Sequence, residues 1–246
     1  MTIRICMWSG PRTISTALMY SFAQRSDTTV VDEPLYAHYL RVTPASSYHP
    51  GADEVMASME TDGRRVVSDV ILGDYPTPVV FFKQMTHHLV ALDTSFLDQT
   101  VNVILTRDPH DMLRSYAAVV DAPSVNDTGY PQNAALYDDL VSRGQDPIVI
   151  DSTRTLRDPE SVLVQLCERI GIPFDPAMLG WEAGPRPEDG VWARHWYGSV
   201  HRSTGFGPPR SHRGPMPSHL VPLLEECLPH YRKLADVALA PATTDR

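Results

Sequence analysis

The chain predicts an α/β fold of three layers, a mainly parallel central sheet flanked by helices. Three observations carry that expectation. Short apolar or β-branched runs at residues 3–7, 28–31, 79–83, 101–106 and 147–151 alternate with stretches whose apolar residues recur at helical spacing, the order that builds parallel sheets. Residues 101–106 are close to continuously apolar, as a strand covered on both faces requires. With 246 residues and 42% apolar content, one domain of generous size is the expectation. Within residues 1–246, the stretch 184–217 is crowded with Pro, Gly, Arg and His and reads as a basic lid or loop.

Charge narrows the function. Thirty acidic residues against 21 basic ones give a net −9, which argues against non-specific binding to nucleic acid or an anionic membrane. Any anion must then be held by locally concentrated basic residues. Cys6, Cys167 and Cys227 lie in apolar surroundings, so neither a disulfide framework nor a metal site is expected, and the compartment reads as reducing. No signal-peptide pattern opens the chain and no run of 18 apolar residues occurs, so a cytoplasmic protein is expected.

In the first strand Ile3, Ile5 and Met7 alternate, and Ser9-Gly10-Pro11 breaks it. Ile14, Ala17, Leu18, Ser21 and Phe22 then recur at helical spacing, with Thr13 or Ser15 available as a cap. A strand that turns sharply into a helix leaves amide N–H groups facing outward, where they suit an anion. Arg12 and the hydroxyls of Thr13, Ser15 and Thr16 complete such a cradle; it lacks the spacing of a nucleoside-triphosphate loop, with one glycine present and no lysine.

Residues 28–31 form the second strand, which Pro34 ends after Asp32-Glu33. In a parallel sheet Glu33 falls on the carboxyl edge where ligands gather, and a general base suits that place; a solvated turn acid is the plainer alternative. Residues 35–75 read as helices and loops, with Tyr36, His38, Tyr39 and Tyr48 as pocket candidates or simple packing. The third strand, Val79-Val80-Phe81-Phe82-Lys83, leads to His87-His88, whose spacing does not suit a helical zinc pair.

The fourth strand, residues 101–106, ends in Arg107-Asp108-Pro109 and opens a helix expected over 109–120, with Ser115 two turns along. Arg107 and Ser115 can therefore converge on one phosphate. A fifth strand at 147–151 leads to a helix carrying Val162, Leu163, Leu166, Cys167 and Ile170, which Gly171 closes. Residues 192–213 concentrate Arg194, Arg202, Ser203, Thr204, Arg210 and Arg213 in an acidic chain. The last apolar stripe, Leu220 to Leu234, reads as an amphipathic helix that Pro229 should kink.

Several of these stretches resemble one family. Pro11-Arg12-Thr13-x-Ser15-Thr16 resembles the 5′-phosphosulfate loop of sulfotransferases, often Pro-(Lys/Arg)-Ser-Gly-(Ser/Thr)-Thr, with Ile14 in place of the glycine. Arg107-x-Pro109 with Ser115 is similar to their 3′-phosphate motif, Lys83 with His87 or His88 to a longer form of their Lys-x-His, and Glu33-Pro34 to the base of some bacterial members acting on sugars. Asp158-Pro159-Glu160 and Gly171-Ile172-Pro173-Phe174 resemble their later helix and its exit, while Asp151-Ser152-Thr153 replaces the common Tyr-Glu-Asp.

The resemblance implies a P-loop-like topology and sulfuryl transfer from 3′-phosphoadenylyl sulfate to a hydroxyl or amine of a small-molecule acceptor, without a metal. It implies nucleotide contacts from residues 11–16, Arg107 and Ser115, and from Arg202, Ser203 and Thr204 in a closing loop. Glu33 is then the first choice of base and His87 the second, with Lys83 and Arg12 toward the leaving oxygens. A nucleotide kinase of the same class and a catalytically silent binding module are the competing readings. A homodimer is a further expectation, and nucleic acid and membrane are not expected as partners.

Overall fold

The computed structural model describes residues 2–118, 120, 123–209 and 214–241. Five strands form one sheet: β1 (Ile3–Ser9), β2 (Thr28–Asp32), β3 (Val79–Met85), β4 (Val101–Thr106) and β5 (Ile148–Asp151). Their order is β2-β3-β1-β4-β5, and β2–β3 and β4–β5 pair in parallel. The fold is the expected α/β arrangement of a parallel sheet flanked by helices. The described residues divide into two compact units, one of residues 2–7, 15–102 and 177–205, the other of 8–14, 103–176 and 206 onward.

In the first unit, the helix Ser15–Phe22 buries Leu18, Met19 and Phe22, and Phe22 stacks on Phe81 of β3 at 4.2 Å between ring centroids. Full burial of such side chains contributes about 1.5–3 kcal/mol each. The register sets Asp32 directly beside Lys83. The helices Tyr36–Val42 and Ala52–Ser58 pack with Trp192 and Tyr197 in one apolar cluster. Residues 66–71, which keep helical spacing, form a π-helix. β3 runs two residues past Lys83, so His87 falls in a one-turn 3₁₀ helix, Thr86–His88.

In the second unit, Asp108 caps the helix Pro109–Ala117 by accepting from the His110 amide at 2.8 Å. That helix is shorter than the 109–120 expected. A helix absent from the sequence expectations, Tyr130–Ser142, follows a capping box at Ser124 and Asp127. Pro159–Ile170 closes at Gly171 with φ 85°, the left-handed end that glycine permits. The final helix, Val221–Val237, runs through Pro229, which gives up the amide that would bond the Glu225 carbonyl. Its Leu223, Leu224 and Cys227 pack with Met112, Leu113 and Tyr130. All three cysteines are free thiols.

Candidate functional site

Two clusters of charged side chains stand apart from the apolar packing, one in each unit. In the second unit the loop after β1 brings Arg12 to Ser115, its Nε donating to the serine Oγ at 3.0 Å. Arg107, at the end of β4, donates from Nη1 to the Arg12 carbonyl at 2.7 Å. Two arginines thus share one cluster, and among the described residues neither has a carboxylate partner. Burial and the neighbouring charge of Arg107 push the Arg12 guanidinium below its ordinary value. Such a pair costs free energy unless something negative joins it.

The loop's backbone is fixed by its own contacts. Arg12 adopts φ 57°, a left-handed conformation that costs a non-glycine residue roughly 1–2 kcal/mol. Thr13 Oγ1 donates to the Gly10 carbonyl at 3.2 Å, which ties down the turn. Gly10 is required by crowding: a Cβ there would stand 2.4 Å from the Thr128 carbonyl oxygen. Gly129, at φ 78°, returns the contact, since its Cβ would lie 2.8 Å from Gly10 Cα. A small recess beside the loop is lined by Gly10, Thr13, Thr106, Arg107, Tyr130 and Asn133, among others. The Thr106 hydroxyl on its wall is buried and has no partner among the described residues. Tyr130 fixes the floor by donating to the Arg107 carbonyl at 2.6 Å.

The first unit holds Glu33 and Lys83 together. Lys83 Nζ donates to Asp32 Oδ1 at 2.9 Å, to Glu33 Oε1 and to the Tyr197 hydroxyl at 2.7 Å. Lysine has three N–H donors, so all are engaged inside the protein and none is left for a leaving oxygen. Lys83 is 2% exposed. Burial lowers its proton affinity, but the Asp32 and Glu33 charges outweigh burial and the net shift is upward. Glu33 moves up from 4.5, by burial first, with Lys83 opposing and the Asp32 charge adding to the rise. Its Oε2 has no hydrogen-bond partner among the described residues, and its side chain keeps 10% of its exposure. The residue sits at φ 43° immediately before Pro34, a second left-handed non-glycine position. A carboxylate with one oxygen anchored, one available and a raised pKa is suited to accepting a proton.

Other expected residues stand differently. His87 packs edge-on to Tyr39 and His88, at 5.1 and 4.6 Å between centroids. His88 lies buried against Tyr36 and Tyr39 and is held neutral, by burial first and then by the neighbouring histidines. Ser15 and Thr16 open the helix Ser15–Phe22, directly after Ile14. Arg202, Ser203 and Thr204 belong to the first unit, where the Ser203 hydroxyl accepts from Trp181 Nε1 at 3.1 Å and donates to the Val200 carbonyl at 2.7 Å. Arg210 and Arg213 lie outside the described residues. Among the described residues no group of three His, Cys, Asp or Glu is placed to hold a metal ion, and no helix is long and apolar enough to cross a membrane.

Comparison with known proteins agrees with the geometry. Residues 3–238 match the family model described as "Sulfotransferase domain". Two Arabidopsis thaliana proteins, branched-chain-amino-acid aminotransferase-like proteins 1 and 2, are 44% and 42% identical over 228 residues, 92% of this chain. The chain spans 40% of the length of those relatives. Among solved structures, a sulfotransferase domain from the curacin biosynthetic pathway aligns over 98% of this chain and 99% of its own, with TM-score 0.56 and 14% identity. A sulfotransferase from Alicyclobacillus acidocaldarius aligns over 99% and 98%, with TM-score 0.55 and 13% identity, a likeness that speaks for the fold. A family match across nearly the whole chain, on a five-stranded parallel sheet flanked by helices, makes this chain a member of the sulfotransferase domain family.

Proposed function

We propose that the protein transfers a sulfuryl group from 3′-phosphoadenylyl sulfate to a hydroxyl or amine of a small-molecule acceptor. The observation that carries this reading is the pair of arginines, Arg107 bonded to the Arg12 carbonyl and Arg12 to Ser115, with no carboxylate partner among the described residues. A donor with a 5′-phosphosulfate and a separate 3′-phosphate is negative at both ends and suits two cations that no carboxylate neutralises. The unpartnered Thr106 hydroxyl adds a polar atom in the same recess.

In the reaction the acceptor oxygen or nitrogen forms a bond to sulfur while the bond from sulfur to the 5′-phosphate oxygen breaks. Charge develops on that phosphate, and Arg12 stabilises it as it forms. The acceptor's proton goes to Glu33 Oε2, whose partner oxygen Lys83 holds. Lys83 therefore acts on Glu33 rather than on the leaving oxygens, its three donors being engaged by Asp32, Glu33 and Tyr197.

Adenosine 3′,5′-bisphosphate should raise the melting temperature more than ATP with magnesium; the reverse order would favour a kinase. Release of the bisphosphate from the sulfuryl donor, measured across alcohols, phenols, sugars and amines, then tests transfer itself. Silence across all four classes would favour a binding module.

A further inference from the structure

Tyr197 lies in the Pro-, Gly- and Arg-rich stretch where no periodicity marks it, yet its hydroxyl meets Lys83, Asp32 and Trp192 at once. Lys83 and the indole N–H of Trp192 can only donate, at 2.7 and 3.1 Å. Ionised Asp32 can only accept, and its two oxygens lie 2.9 and 2.7 Å from the phenol oxygen. The single phenol proton must therefore point at Asp32, and both lone pairs are taken. Burial, then Asp32 and Glu33, keep the phenol protonated far above its ordinary range. The Gly190 amide adds a further donor to Asp32 Oδ2 at 3.3 Å.

We propose that Tyr197 is the positioning residue that holds Lys83 between Asp32 and Glu33 and so sets how readily Glu33 takes a proton. The role rests on the reading of Glu33 as the base. The groups acting on Glu33 are Asp32 with a negative charge, Lys83 with a positive one and the neutral phenol of Tyr36; the Lys83 charge in turn helps keep His88 neutral. Tyr197 spreads the Asp32 charge by donating to it and fixes the third Lys83 proton. Without the phenol oxygen, Asp32 faces Glu33 less compensated and Lys83 has a buried donor to satisfy elsewhere. Both changes leave the ionised form of Glu33 less favoured.

The test needs no acceptor. In protein labelled with ¹³C at the glutamate side-chain carboxyl, the Glu33 signal is the one absent from Glu33→Gln, and its titration midpoint is read by NMR. Tyr197→Phe keeps the ring and should move that midpoint upward by roughly 0.5–1 pH unit. Trp192→Phe removes the donor that polarises the phenol and should move it the same way by less. A midpoint unmoved in Tyr197→Phe, or moved downward, overturns the proposal even if the melting temperature falls, because a merely structural tyrosine would lower stability alone. If Tyr197→Phe does not fold, Trp192→Phe decides by the same reading: an upward shift supports the role and an unmoved midpoint overturns it. Failure of the base reading is separately visible, as full turnover in Glu33→Gln.

Discussion

Replacing Lys83 by methionine tests the electrostatics of the first unit directly. The side chain is 2% exposed, and its removal leaves Asp32 and Glu33, 6% and 8% exposed, as neighbouring carboxylates without their cation. Stranding a buried charge in this way costs about 3–5 kcal/mol. For a chain of this size each kcal/mol is worth about 2–4 °C, so the melting temperature should fall by roughly 6–20 °C near neutral pH. The deficit should depend on pH. In the wild type the Glu33 pKa already lies above 4.5, and without Lys83 it rises further. The folded variant then binds protons more tightly than the unfolded chain, so its stability is greatest at low pH and is lost as pH climbs through the raised value. Melting curves at pH 5 and pH 8 should show a smaller gap between variant and wild type at the lower pH. A gap under about 1 kcal/mol at pH 8, or one that does not shrink toward pH 5, would refute the argument that Lys83 neutralises this pair.

Other perturbations separate the two clusters. Glu33→Gln should leave adenosine 3′,5′-bisphosphate binding intact and cut turnover by about 10²–10⁴-fold, as loss of a general base does. In the wild type, turnover should rise with pH through a midpoint above 4.5, since the ionised Glu33 is the active form and its pKa is raised; an acid limb at or below that value speaks against it. Arg12→Ala and Arg12→Gly should both weaken the bisphosphate by about 10–150-fold, a lost charge-assisted contact. The glycine variant should melt higher, because φ 57° suits it, and equal melting points would argue against strain there. Gly10→Ala should lower stability by at least about 1–3 kcal/mol, measured by urea titration, because its Cβ would meet the Thr128 carbonyl at 2.4 Å.

Much of the fold was legible because burial leaves a periodic trace. The run at residues 101–106 became β4 with those bounds, and Gly171 took its left-handed place after the helix it ends. Arg107 and Ser115 could be paired by counting helical turns from a strand end. The contact that joins them to the loop could not, since Arg12 reaches Ser115 across 103 residues and by way of a left-handed backbone. Ser124 and Asp127 announce a helix start and Pro131 sits in the first turn of the next helix, signals that could have placed Tyr130 and its bond to the Arg107 carbonyl. Asp32 was read only as a neighbour of Glu33, though parallel pairing with Lys83 makes it half of a buried ion pair. Tyr197 had no such trace. Its segment contains single helical turns and loops, and its value comes from one oxygen atom.

The order in which the chain is made bears on Lys83. Asp32, Glu33 and Lys83 all leave the ribosome well before Tyr197, which lies 114 residues beyond the lysine. Until residues 177–205 emerge, the first unit lacks the Tyr197 phenol, the Trp192 indole and the Gly190 amide that complete the ion cluster. An ammonium with an unmet donor keeps its water, so the sheet edge around β2 and β3 should stay wet and exchange-prone through most of synthesis. Nascent chains arrested before residue 190 would expose that edge to proteases, and chains released past residue 205 would close it.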